Sequence, residues 1–205
     1  VAGRGSSPAR FVRSFALKEK AMNATLARII NRPLVKGALL GLAGGAALDG
    51  VSTAIYENED LRTRIAEDAA RKGRHVYEVG VSQLAGAFGK RLSRRQEKKL
   101  GWRFHQAFGL LGGIGYAALR RRKPGVGVGM GLAFGAVFFL LGDELLMPLA
   151  GWSPGPRKFS WKVHARGAVA HLAYGVAAEA AARLIDRAAR PTLRGAELAY
   201  QPRAG

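Results

Sequence analysis

The chain has 205 residues, of which 48% are hydrophobic and 28 are glycine, with a formal net charge of +19. It contains no cysteine, which excludes a disulfide framework and any thiolate metal site. Length alone allows one or two soluble domains. The arrangement of charge argues otherwise, because Lys and Arg fill gaps between apolar blocks, the pattern of a membrane protein with basic flanks. A nucleic-acid binder of equal basicity would not need those blocks, and no nucleic-acid partner is expected.

In chain order, residues 1–32 are expected to form a basic N-terminal tail with no packed element. Residues 1–21 hold no apolar run of signal-peptide length, and their Arg/Ser-rich make-up with a single acid, Glu19, is shared with mitochondrial transit peptides. Met22 is an alternative start position.

The spacing then predicts four membrane spans, since a spanning helix needs about 20 mostly apolar residues. The first covers 33–56. Pro33 suits its first turn, Lys36 can snorkel, and Tyr56 suits an aromatic belt. A polar loop over 57–100 follows, with a charged helix and then an amphipathic stripe of Tyr77, Val81, Leu84, Phe88 and Leu92. Ser93 and Gln96 read as the capping box of the next helix, whose span is 101–119 and whose end is marked by Arg120, Arg121, Arg122 and Lys123. The third span is 125–149, closed by Pro148. The fourth, Ala-rich, is 160–185, and 187–205 form a basic C-terminal tail. The expected fold is therefore an all-α integral membrane bundle occupying 33–186.

Four spans place both termini on one face, side A. Side A carries 17 of the 33 Lys and Arg residues and side B the other 16. The short basic 120–123 connection and the basic C-terminus favour side A as cytoplasmic. Glycine recurs every four residues at Gly37, Gly41 and Gly45, at Gly109 and Gly113, and at Gly127, Gly131 and Gly135. Such GxxxG spacing lets helix backbones approach closely in lipid, within one chain or between copies. GVGVGMG at 125–131 does not make a nucleotide loop, because position 132 is leucine and no strand precedes it.

Charged residues in hydrocarbon usually face a bundle interior and find partners there. Counting the helical rise along alternating spans gathers Asp49, His105, Asp143, Glu144, His164 and His171 into the side-B half of the bundle. Glu179 falls toward side A, and Tyr116 lies on the same stripe as His105. Asp143 and Glu144 are neighbours and point about 100° apart, so one is expected to face the core and the other to pair at the interface, for example with Arg157, Lys158 or Arg166. Three roles are open for the cluster: fixing helix register, handling protons or cations, or binding a metal. No close-spaced ligand pair stands out, so no metal, cofactor or catalytic residue is expected.

The order His105-x-x-x-Gly109-x-x-x-Gly113-x-x-Tyr116, then Gly142-Asp143-Glu144-x-x-x-Pro148-x-x-Gly151, then His164-Ala165 and His171-Leu172-x-Tyr174-Gly175, resembles the YagU-like family of bacterial inner-membrane proteins over about residues 34–186. The resemblance implies a multi-pass inner-membrane protein and supplies no reaction. The expectation is a non-enzymatic protein whose polar cluster stabilises helix packing. The alternative is a proton- or cation-handling transporter or channel component, with the lipid bilayer as the principal partner.

Overall fold

The computed structural model describes residues 8–123 and 127–199, without the side chains of 8–16, 20, 128 and 190–199. Gly125, the expected start of the third block, and the outer parts of both tails lie outside these residues. Among the described residues every regular element is helical: α1 (Pro8–Ile30), α2 (Pro33–Glu57), α3 (Leu61–Arg71), α4 (Val76–Ala87), α5 (Arg94–Arg122), α6 (Gly127–Phe139), a π-helical turn (Leu140–Leu146), α7 (Met147–Leu149), a 3₁₀ turn (Pro156–Lys158) and α8 (Trp161–Ala199).

Local chemistry explains the boundaries. Pro33 opens α2 at a position whose N–H has no helical partner. Asp60 caps α3, accepting from Thr63 N at 2.9 Å, and the helix stops where Lys72 and Gly73 turn to positive φ. Ser93 N donates to Gln96 Oε1 at 2.8 Å and Gln96 N to Ser93 Oγ at 3.4 Å, the reciprocal box expected at the start of α5.

The long helices α2, α5, α6 and α8 pack side by side, with α8 against α2 and α6, and α5 against α2. Successive members run antiparallel. Gly41 lies at Gly113 and Asp49 at His105 across α2–α5, while Gly131 lies at Gly175 and Phe139 at Gly167 across α6–α8. The approach is close enough to forbid side chains: a Cβ on Gly113 would stand 2.1 Å from Gly41 N, and one on Gly175 would stand 1.9 Å from Gly131 O. Two expected packing glycines behave otherwise. Gly45 has no neighbour within 4 Å of a Cβ position, and Gly44, one residue earlier, meets the Tyr174 ring instead. Gly127 begins α6 at φ +69 and meets only the Arg183 side chain. A spacing of four selects a stripe but cannot say which edge of it meets the neighbour. Leu40, Tyr116, Ala117, Met130, Tyr174, Ala178 and Ala182 form the core between these helices.

Among the described residues three helices are long and apolar enough to cross a membrane: Pro33–Glu57, Gly129–Leu149 and Trp161–Ala189. The second of the four expected spans is not among them. Arg94, Arg95, Glu97, Lys98, Lys99 and Arg103 occupy the early turns of α5, leaving only 104–119 free of charge.

Both expected tails also differ. Residues 8–30 form α1, which packs against α8, with Ala27 buried and Ala24 and Ile30 half-buried at steps of three. The abundance of cations masked that helical repeat. α8 runs unbroken to Ala199, past the expected end at 185. In the polar loop, Tyr77 is buried as the stripe requires, but α4 ends at Ala87, where Gly89 takes φ +69, and Phe88 is 80% exposed.

Candidate functional site

The functional geometry begins at the π turn. Met147 N donates to Gly142 O, five residues back, so the helix widens by one residue at LLGDELL. Pro148 explains why: it has no N–H to return to the carbonyl four residues earlier, and the ladder loosens just before it. More residues per turn mean a smaller angular step between neighbours. Asp143 and Glu144 consequently both reach the same helix, α8, at different histidines.

Glu144 Oε1 lies 2.6 Å from His164 Nδ1, and Asp143 Oδ2 lies 4.0 Å from His171 Nε2. This corrects the expected interfacial pairing with Arg157, Lys158 or Arg166. Arg166 turns the other way, to Glu59 at 2.5 Å and Glu67 at 2.7 Å, with its guanidinium 5.1 Å from the Tyr56 ring centroid. On the opposite wall His105 Nε2 lies 2.8 Å from Asp49 Oδ1, and Gln106 donates to the other Asp49 oxygen at 3.4 Å.

The acceptors decide the tautomers. His171 Nδ1 faces the Gly167 carbonyl at 2.9 Å, so Nδ1 carries a hydrogen and Nε2 is the nitrogen turned to Asp143. His164 Nε2 faces the Pro156 carbonyl at 3.0 Å and therefore also donates. Its Nδ1, held at 2.6 Å from a carboxylate, then requires a second proton in the pair, on the imidazole or on Glu144. His105 Nδ1 is buried with no partner.

All six residues that the sequence places together line one cavity of about 580 Å³, bounded by α2, α4, α5, α6, the π turn and α8. His75, at the start of α4, lines it as well, so all four histidines of the chain face this space. The sequence reading missed His75 because it sits in a polar loop with no apolar stripe through it. Its ring stacks on Tyr77 at 5.5 Å between centroids, and Tyr77 in turn lies 4.9 Å from His105. Burial, reinforced by the nearby Asp143 and Asp49 carboxylates, pushes the Tyr77 hydroxyl well above the usual phenol range. Tyr174 closes the floor, donating to the Gly109 carbonyl at 2.6 Å. Among the described residues no group of three His, Asp or Glu could hold a metal ion.

Comparison with protein-family models, curated proteins and solved structures returns no match for this chain.

A second polar group sits at the opposite end of the bundle. Glu179 accepts from Tyr116 Oη at 2.7 Å, Arg120 Nε at 2.8 Å and Arg183 Nε at 2.7 Å. Arg120 continues to Asp186 at 2.5 Å, and Lys36 joins Asp186 from α2. The sequence places Glu179 apart from the other acids but does not disclose this network. Arg120 reads as part of a terminating basic run, and Lys36 as a snorkelling residue.

Ion-pair chemistry separates the two groups. Three carboxylates pair with histidine, namely Asp49, Asp143 and Glu144, and all three line the cavity. The other ion-paired acids among the described residues, Glu59, Asp60, Glu67, Glu78, Glu97, Glu179 and Asp186, pair with Arg or Lys. An arginine pair keeps its charge at any physiological pH. A histidine pair gains or loses a proton near neutrality.

Proposed function

We propose that this chain is a multi-pass protein of the bacterial inner membrane, of the YagU-like kind, that handles protons or cations through the His–carboxylate cavity as a transporter or channel component. α5 is the fourth span in this reading, with 104–119 crossing the apolar layer between charged ends, and side A faces the cytoplasm. No catalytic residue is assigned. The observation that carries the proposal is the pairing of Asp49, Asp143 and Glu144, three of the four carboxylates lining the cavity, with the one side chain that titrates near neutral pH; the fourth, Glu78, and the ion-paired acids elsewhere among the described residues meet permanent cations. The π turn supports it, since single π turns within α-helices frequently mark functional sites.

The test is proton uptake by the protein in proteoliposomes, followed with an entrapped pH-sensitive dye. Asp49→Asn, Asp143→Asn and Glu144→Gln together are expected to abolish uptake and to leave the unfolding midpoint near that of the unaltered chain. Uptake that survives all three changes overturns the proposal.

A second reading has its own observation. Each pair ties two helices, Asp49–His105 joining α2 to α5 and the other two joining the π turn to α8. If the same triple variant unfolds much more easily and the unaltered protein takes up no protons, the pairs serve to fix helix register. Copies of the chain could then associate through the glycine-bearing faces that remain open, such as that of Gly45.

A further inference from the structure

The carboxylates are only half of the cavity's chemistry; the other half is aromatic. Tyr77, Trp102 and Phe108 line it from α4 and α5, facing Asp49 and the acids of the π turn. Tyr77 and Phe108 ring centroids are 5.6 Å apart, and Trp102 lies 5.8 Å from His105. Resting on the proton-handling reading, we propose that the cavity binds a small organic cation, an ammonium group carrying an apolar or aromatic body, in exchange for protons held on the His–carboxylate pairs.

Three arguments converge on that class. The first is charge. With the histidines neutral, Asp49, Asp143 and Glu144 have no permanent cation as an ion-pair partner. Arg71, Lys98 and Arg166 also border the cavity; Arg71 and Arg166 are both engaged by Glu67, and Arg166 by Glu59 as well, which leaves Lys98 as a single cation against three acids. The second is the wall. Aromatic faces attract weakly hydrated organic cations, whereas a small inorganic ion holds its water shell more tightly and gains less from a ring face. The third is size and ligand geometry. A cavity of about 580 Å³ falls in the range of small-molecule sites. A divalent ion needs several oxygen ligands at one point, and the described acids and histidines do not converge in that way.

The exchange balances in charge. In the loaded state a proton sits between imidazole and carboxylate, as the His164–Glu144 geometry requires. When the organic cation enters, its positive charge replaces that of the proton beside the carboxylate. The imidazole returns to the neutral form and one proton leaves to solvent. Neighbouring charged and titratable groups set this equilibrium. Asp143 feels His171, Arg71, Glu144 and His105, and Asp49 meets His105 and Gln106. Tyr77, kept as a neutral hydroxyl by burial and by the field of Asp143 and Asp49, shares the cavity with both.

The experiment is calorimetric titration of the full chain in lipid nanodiscs with benzyltrimethylammonium, run in buffers of different ionisation enthalpy so that released protons are counted. Benzyl alcohol, sodium chloride and magnesium chloride are the comparison titrants. The expected result is binding of the organic cation with release of about one proton, and affinity that falls about tenfold per pH unit on the acidic side, as competition with a single proton demands. Asp143→Asn and Trp102→Leu should each weaken binding by about tenfold or more. Equal binding of benzyl alcohol, or an equal proton release on adding sodium or magnesium, overturns the proposal on the unaltered protein, whatever the variants do. Absence of any cation heat alongside proton uptake that still depends on the three acids overturns this inference and leaves the proton-handling reading standing. Proton uptake that is indifferent to the three acids removes both.

Discussion

Two of the ionic regions of the bundle use similar residues to opposite ends. The side-A network packs Glu179 at 2% exposure against Tyr116, Arg120 and Arg183, and links α2, α5 and α8 through Asp186. The side-B group leaves Asp143 40% exposed on a cavity and gives it only a histidine, at 4.0 Å. One region saturates a buried acid with donors that never lose their charge. The other holds acids beside donors that do. Burial and partner type together therefore separate a group that holds helices from one that can change its state, which neither the residue types nor their depth in the bundle can do.

The sharpest way to break the comparison is to empty the side-A network. Glu179→Ala leaves the Tyr116 hydroxyl without its acceptor and Arg183 and Arg120 without their buried anion. It should lower the free energy of unfolding by about 3–5 kcal/mol, as removal of one partner from a buried ion pair does, measured by denaturant titration in detergent. A shift as small as that of a surface pair would erase the distinction between the regions. Next in size is Gly113→Leu, which drives a side chain into the Gly37 carbonyl and the Gly41 backbone. Overpacking of this kind costs about 1–3 kcal/mol, and the same change at Gly45, where nothing lies within 4 Å, should be near neutral in the same assay.

Smaller still is the stability effect expected in the cavity. Removing a single pair by Asp49→Asn should cost about 0.6 kcal/mol, the typical worth of a polar contact between membrane helices, while proton uptake falls. A loss of stability as large as that of Glu179→Ala would move the cavity pairs into the structural class. Smallest is the exposed Asp60–Lys162 pair. The Lys162 ammonium, and then the Thr63 N–H, hold the Asp60 carboxyl below the usual carboxylate range. A depressed folded-state pKa contributes stability above the unfolded value and loses it as pH falls through the folded value. Asp60→Asn should therefore have the same slight effect at pH 8 and pH 5, read as faster hydrogen exchange in the first turn of α3. A dependence appearing near neutrality would show a histidine acting there.

Much of the architecture is legible along the chain because its causes are local. Pro33, the Ser93–Gln96 box and the run of uncharged residues before Asp143 act within a few residues of themselves. The placement of Asp49 with His105, and of Glu144 with His164, follows from counting rise along alternating helices, which needs only lengths. The expected second span fell short because α5 mixes a charged start with an apolar end. α1 was hidden because its cations outnumber the small residues that face α8.

The sequence by itself determined that the chain is helical, that apolar blocks suited to a membrane alternate with basic connections, and that its acids and histidines fall at two depths. These are properties of composition and of a fixed rise per residue. Only the tertiary structure decided which partner each acid meets, because azimuth depends on how neighbouring helices rotate and where a ladder slips. The widened turn before Pro148 brings both Asp143 and Glu144 to α8, while the packing of α8 turns Arg166 to Glu59 and Glu67.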